Sequence, residues 1–160
     1  MGNKNLVITP IEIIKDKIYF IRGAKVMLDK DLAFLYQVRP IALRQQVKRN
    51  KERFPKDFLF QLTDKEVDFL VSQNVIPSRK VLGGALPYAF TEHGVTMLSS
   101  VLKSKKSIEV NVAIVRAFIK LREILQSHKD ILVEIEKIKQ DKKKHGHKIS
   151  VIMDAINKLI

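Results

Sequence analysis

Two prolines, Pro40 and Pro55, bracket the segment that most restricts how this chain can fold. Proline is tolerated in the first turn of a helix but stops a helix further along, so a helix that begins at Pro40 must end before Pro55. Between them, Leu43, Val47 and Phe54 recur at helical spacing and lie on one face. The segment is therefore predicted to be a helix with one apolar face.

The opposite face of this predicted helix is basic. At 100° per residue, the polar side chains fan over that side, and they are Arg44, Gln45, Lys48, Arg49 and Lys51. Asp29–Tyr36 is predicted to be a short helix capped by Asp29, and the break at Gln37–Arg39 separates it from the basic one. Two short helices across a tight turn, the second strongly basic, are typical of a helix-turn-helix.

The remaining segments alternate between strand and helix patterns. Lys17–Leu28 is predicted to be a β-hairpin around Arg22–Gly23, and residues 57–62 to be a strand that pairs with Pro87–Phe90. Thr63 and Glu66 form a capping-box pattern, Thr91 is a second helix cap, and Ser104 can start a long last helix. The fold class predicted from this order is α+β.

Three regions are expected along the chain: a flexible tail at 1–10, a compact domain at 11–117 and a helical tail at 118–160 with a basic hinge near 139–148. In the tail, apolar residues follow the 4-3 spacing of a coiled coil from Phe118, and the same phase resumes after the hinge. The predicted dimerisation residues are Leu121, Leu125, Leu132, Ile135, Ile149, Met153 and Ile156. The alternative is an amphipathic helix that folds back on its own domain.

The charge of the chain points to an anionic partner. It carries 30 Lys and Arg against 17 Asp and Glu, a formal net charge of +13. Nucleic acid is the commonest partner of so basic a folded domain, and an anionic membrane surface is the second. The chain has no cysteine, no signal-peptide pattern and no apolar run of membrane-spanning length, so we expect a soluble cytoplasmic protein without a membrane role.

Signals for catalysis are weak. Ser100–Lys103 matches S-x-x-K without the motifs that accompany it in enzymes, and Gly83–Gly84 lacks the context of a phosphate-binding loop. His145 and His147 have no carboxylate neighbours that would complete a metal site. We therefore expect no enzymatic activity, no catalytic residues, no cofactor and no metal.

The basic helix supplies the candidate binding residues for double-stranded DNA. The N-terminal part of the second helix of a helix-turn-helix enters the major groove. Base contacts are predicted for Ile41, Arg44, Gln45 and Lys48, and phosphate contacts for Arg39, Arg49, Lys51, Arg53 and Lys56. The loop Pro77–Gly84 is predicted either to rest on the DNA backbone through Arg79 and Lys80 or to be an ordinary connection.

Three stretches together resemble the KilA-N DNA-binding family of phages and mobile elements, in its phage antirepressor-type branch. They are VMLDKDLAFLYQV, LRQQVKRNKERFPKDFLFQLTDKE and LPYAFTEHGVTMLSSVL. The resemblance implies a compact α+β DNA-binding domain without catalysis, acting as a transcription regulator or antirepressor-like factor. The alternative function is a non-enzymatic interaction module that binds an acidic partner. A homodimer through the C-terminal helices fits either function.

Overall fold

A computed structural model describes residues 11–82, 84–139 and 155–159. The helices are α1 (Ile11–Lys15), α2 (Asp29–Tyr36), α3 (Pro40–Arg49), α4 (Asp64–Ser72), α5 (Glu92–Val101) and α6 (Lys105–Lys139), and the strands are β1 (Tyr19–Ile21), β2 (Ala24–Leu28), β3 (Leu59–Gln61) and β4 (Tyr88–Thr91). Lys51–Arg53 and Arg79–Leu82 are short 3-10 helices, and residues 155–159 are helical. The predicted α+β class is confirmed. The predicted tail at 1–10 and most of the predicted hinge lie outside the described residues.

The strands form one antiparallel sheet in the order β1-β2-β4-β3. The hairpin between β1 and β2 turns through Arg22 and Gly23, whose φ angles of 55° and 75° are both positive. Such a two-residue turn matches the twist of the paired strands, and glycine adopts it without strain. The predicted hairpin is confirmed. The predicted pairing of β3 with β4 is confirmed as well, with Leu59 opposite Phe90.

Hydrophobic side chains pack on both faces of the sheet. Successive residues of a strand point to opposite faces, so Met27 of β2 and Phe90 of β4 lie on one face while Val26 and Ala89 lie on the other. On the first face they pack in a core that includes buried residues of α1, α2, α3, α5 and α6. The smaller core on the second face is covered by α4 through Val67 and other residues. Helices α3 and α4 therefore lie on opposite sides of the sheet.

Local hydrogen bonds start three of the helices, α4, α5 and α6, as predicted. The Thr63 hydroxyl accepts the Glu66 amide while the Glu66 carboxylate accepts the Thr63 amide, which is a complete capping box at α4. The Thr91 hydroxyl caps α5 by accepting the amide of Gly94. At α6, the hydroxyl of Ser104 accepts the amide of Ser107 at 3.1 Å.

Helix α6 runs without interruption through the predicted boundary between residues 117 and 118. Phe118, the first residue of the predicted tail, is fully buried in the core beside Ile114 and Ala117. The first half of α6 is thus part of the domain. No side chain from Leu121 to Ile138 is fully buried. Within the described part of the chain, no helix combines the length and apolarity that a membrane span needs.

Candidate nucleic-acid interface

A tight turn connects α2 to α3. Gln37 ends α2 with a left-handed backbone at φ 58°, and the amide of Val38 donates a hydrogen bond to the carbonyl of Ala33 at 3.0 Å. Arg39 is extended, and Pro40 takes the first position of α3, where its missing N–H costs nothing. The short break predicted between the two helices is therefore present.

Helix α3 is held on the domain by its apolar face. Leu43 of α3 is fully buried, and Val47 packs against the same core. Beyond the helix, the ring of Phe54 meets Phe90 edge-on with ring centroids 6.0 Å apart. The helix ends at Arg49, so the prediction that it continues towards Pro55 was wrong. Asn50 is the C-cap residue, with a non-helical backbone at φ −119° and ψ 39°, and its side-chain amide also donates to the Gln46 carbonyl at 2.8 Å. Lys51 and Arg53 consequently lie on the 3-10 helix that follows.

The exposed surface of this region carries cations that have no acidic partner among the described residues. They are Arg39, Lys48, Arg49, Lys51, Arg53 and Lys56, and all of them are exposed. Arg53 donates to the hydroxyl of Ser100 at 3.1 Å, which leaves its charge uncompensated. Ile41 and Gln45 are exposed on the same helix. Most of the predicted contact residues are thus exposed on α3 or on the segments that flank it.

Arg44 differs from its neighbours because it is bound to a buried carboxylate. Its Nε donates to Oδ2 of Asp29 at 2.6 Å, and Asp29 has no exposed surface. The other carboxylate oxygen of Asp29 accepts the amide of Lys30. The prediction that Asp29 caps α2 was wrong, because Leu28 occupies the cap position and Asp29 is the first helical residue, joining α2 to α3. The side chain of Arg44 remains 31% exposed.

A groove of about 810 Å³ lies between α3 and the sheet. Side chains of α3 that form its helical wall include Ile41, Arg44, Gln45 and Lys48, and Lys51 lies just beyond the helix. The rest of the lining includes Leu59 and Gln61 of β3, Tyr88 and Phe90 of β4, and Ala85 and Leu86 of the preceding loop, together with Asp29 and Phe54. The sequence patterns did not indicate Gln61, Ala85, Leu86 or Tyr88. The predicted pairing of β3 with β4 was the one sequence signal from which their proximity could have been inferred.

The loop with Arg79 and Lys80 is on the other side of the sheet from α3. The guanidinium of Arg79 bonds to the carboxylates of Asp64 and Asp68 on α4, the latter at 2.9 Å. Leu82 of the same 3-10 helix packs on the core that α4 covers. Lys80 is exposed. This geometry favours the ordinary-connection alternative for Arg79 and Lys80.

The predicted dimerisation residues fall into three groups. Leu121 packs against the core of its own domain, continuing the stripe of Ile114 and Phe118. Leu125, Leu132, Ile135 and Ile156 are half-buried. Ile149 and Met153 lie outside the described residues, as do His145 and His147.

The described residues contain no group of three or more His, Asp or Glu side chains that could hold a metal ion. His93 is exposed, and its ring packs on Phe58 with centroids 5.5 Å apart. His93 therefore has a packing contact with Phe58 at the start of α5.

Residues 16–101 match the ORF6N domain. The chain belongs to the ORF6N domain family. The matched segment runs from just before β1 to the end of α5, so it includes α3, the groove and every predicted DNA-contacting residue. The assignment to the KilA-N family was wrong, because the stretches on which that resemblance rested fall almost wholly within the ORF6N match. Helix α6 lies entirely outside the ORF6N match. Neither the curated proteins nor the solved structures include a match to this chain.

Proposed function

We propose that this ORF6N domain binds double-stranded DNA through α3 and acts as a transcription regulator. The observation that carries the proposal is the cluster of exposed cations on and after α3, none of which has an acidic partner among the described residues. Cations on one surface are expected to bind DNA by displacing the counterions that surround its phosphates. The net charge of +13 also attracts the DNA at longer range.

In this proposal, α2 and α3 act as a helix-turn-helix, and the N-terminal half of α3 enters the major groove. Ile41, Gln45 and Lys48 reach base edges there, and the apolar end of Ile41 is suited to a thymine methyl group. The phosphate contacts come from Arg39, Arg49, Lys51, Arg53 and Lys56. These contacts set the position of α3 without reading sequence.

Arg44 reads a guanine in this proposal, and Asp29 is its positioning residue. The Nε of Arg44 is engaged by Asp29, and its two Nη groups make no hydrogen bond among the described residues. Those two groups can donate together to O6 and N7 of a guanine. A carboxylate behind the guanidinium fixes its plane and lowers the entropy lost on binding.

Self-association through the C-terminal helices completes the proposal. Two domains joined in one particle meet two half-sites of a duplex, and the second contact then forms at a high effective concentration. Linkage of this kind can raise apparent affinity by roughly 10²–10⁴-fold.

A second candidate function is recognition of an acidic protein segment by the same region. The groove beside α3 favours it, because its floor is apolar at Leu59, Tyr88 and Phe90 while Lys48 and Lys51 line its helical side. An amphipathic acidic helix would match both features. The two functions differ in whether a duplex sequence is preferred.

The test is selection of bound sequences from a random duplex pool, followed by affinity measurements over a range of salt. We expect one enriched motif and a log–log salt slope of about 0.9 for each phosphate contacted. Lys51→Ala should lower that slope by about one unit, and Lys80→Ala, a matched change on the opposite side of the sheet, should leave it unchanged. No enriched motif together with a slope near zero would overturn DNA binding in favour of the acidic partner.

A further inference from the structure

Helix α6 carries apolar side chains on two different faces. One face is buried in the domain through Val110, Ile114, Ala117 and Phe118. The other presents Ile108, Val112, Val115 and Ile119 to solvent, with 58%, 44%, 40% and 45% of their surfaces exposed. A helix at the surface of a domain ordinarily has polar residues on its outer face, so this second stripe requires an explanation.

The spacing of the exposed residues is that of a coiled-coil seam. The intervals from Ile108 to Val112, Val115 and Ile119 are four, three and four residues, which assigns them to alternating d and a positions of a heptad. At 100° per residue, this outer seam lies about 140° around the helix from the buried residues. The outer seam therefore faces away from the core residues on which α6 packs.

We propose that the outer seam of α6, formed by Ile108, Val112, Val115 and Ile119, binds the same seam of a second copy of this chain in antiparallel orientation. This inference refines the proposed homodimer and does not depend on DNA binding. A symmetric contact of this kind places Ile108 of one copy opposite Ile119 of the other and Val112 opposite Val115. All four layers of the contact are then apolar, and both copies contribute equally.

Charge complementarity selects the second copy and the antiparallel direction. Glu109 and Arg116 are exposed residues beside the seam, both at heptad position e, and neither has an ion-pair partner among the described residues. In the antiparallel pair, Glu109 lies within about two residues, roughly 3 Å along the axis, of the level of Arg116 in the other copy. Symmetry repeats the contact, which gives two ion pairs for one interface. In a parallel pair these residues would be seven positions apart, roughly 10 Å along the axis.

The same register also defines where the seam ends. The next seam positions are Lys105 at one end and Arg122 at the other, so the apolar contact is limited to four residues per copy. Arg122 is already paired with Glu92 of its own chain, which reduces its repulsion of Lys105 in the other copy. An interface of this size is small, and we expect reversible association at micromolar concentrations.

Cysteine cross-linking of the full chain tests the orientation, because the native sequence contains no cysteine. An equimolar mixture of Ile108→Cys and Ile119→Cys chains should form a disulfide-linked dimer under mild oxidation. Either variant alone should not, because the two copies of one position would be about 16 Å apart along the axis. Efficient cross-linking of Ile108→Cys to itself, or none in the mixture, would overturn the antiparallel contact.

Solution mass tests which face of α6 joins the copies. Without DNA, the wild-type chain should associate to twice its 18.4 kDa, and Val112→Glu with Val115→Glu should halve that mass. Both positions are exposed, so circular dichroism should report an unchanged fold. Lys120→Glu, at an exposed position of α6 away from the outer seam, is the control and should leave the dimer intact. Leu125→Asp with Leu132→Asp tests the rival contact through the predicted tail seam.

Charge reversal provides a second readout that does not require a change in the apolar seam. Glu109→Arg should weaken association, and Glu109→Arg with Arg116→Glu should restore it, because each copy then meets the opposite charge again. Three results would overturn the inference: a monomeric wild type at high micromolar concentration, loss of the dimer only in the Leu125 and Leu132 variant, or no rescue by the double charge reversal. Sequence-specific DNA binding, measured separately, can succeed or fail independently of all three.

Discussion

The Nε of Arg44 lies 2.6 Å from Oδ2 of Asp29, and this ion pair joins the start of α2 to the middle of α3. Asp29 is fully buried while Arg44 is partly exposed, so the carboxylate depends on its partner more than the guanidinium does. The pair therefore contributes both to the stability of the domain and to the orientation of the Arg44 side chain at the proposed interface.

Arg44→Ala should lower the free energy of unfolding by about 1–3 kcal/mol, because it leaves one oxygen of the Asp29 carboxylate buried without its partner. Urea denaturation measures the change. Gln45→Ala is the control, since Gln45 is exposed and should alter stability by less than about 0.5 kcal/mol. If the two variants are equally stable, the ion pair has no structural role. Any loss of DNA affinity in Arg44→Ala is interpretable only after this comparison.

Glu66 should make the domain sensitive to acid. The hydrogen bond from the Arg22 side chain, supported by the amide of Thr63, lowers the pKa of Glu66 from its usual 4.5 to about 2. A carboxyl group whose pKa is depressed on folding stabilises the folded state above pH 4.5 and loses that contribution as the pH falls to about 2. Glu66→Gln should be less stable at pH 7, and its stability should fall less steeply over this window. Equal slopes for wild type and variant would contradict the prediction.

Gly94→Ala should destabilise the domain although alanine is the better helix former. Helix propensity alone favours alanine by about 1 kcal/mol. A Cβ at residue 94, however, would overlap the carbonyl oxygen of Phe58, which the Thr91 amide holds at 3.0 Å. Because a backbone group cannot move aside as a side chain does, we expect a net loss of about 1–3 kcal/mol in thermal or urea unfolding. Thr96→Ala, at an exposed position of the same helix, should be neutral or slightly stabilising.

Lys25→Met should stabilise the domain at neutral pH by about 1 kcal/mol. The Nζ of Lys25 is buried without a hydrogen-bond partner in the described structure, and burial, together with the nearby Arg122, lowers its pKa below the usual 10.5. A lysine with a lowered pKa opposes folding while it is charged, and the penalty fades as the pH rises towards 10.5. The gain from methionine should therefore shrink between pH 7 and pH 10. A gain that is constant over this range would indicate improved packing instead.

Features that depend on neighbouring residues could be predicted from the sequence alone. Gly23 identified the hairpin turn, Thr63 and Glu66 identified a capping box, and Pro40 identified the start of α3. Each of these signals depends on contacts within a few residues, so its effect does not depend on the fold of the rest of the chain.

Contacts between residues that are far apart in the sequence depend on the tertiary structure. Asp29 is a residue type that often caps helices, and it stands at the start of α2. The packing of α2 against α3 instead makes it the partner of Arg44, fifteen residues later. The sequence made Arg79 a candidate phosphate contact, but it did not show that the guanidinium pairs with Asp64 and Asp68 of α4. The 4-3 pattern of α6 likewise did not reveal that Leu121 faces its own core. An apolar pattern indicates which face of an element is buried, and a charged pattern indicates which face is exposed or paired. The path of the whole chain determines which residues contact each face.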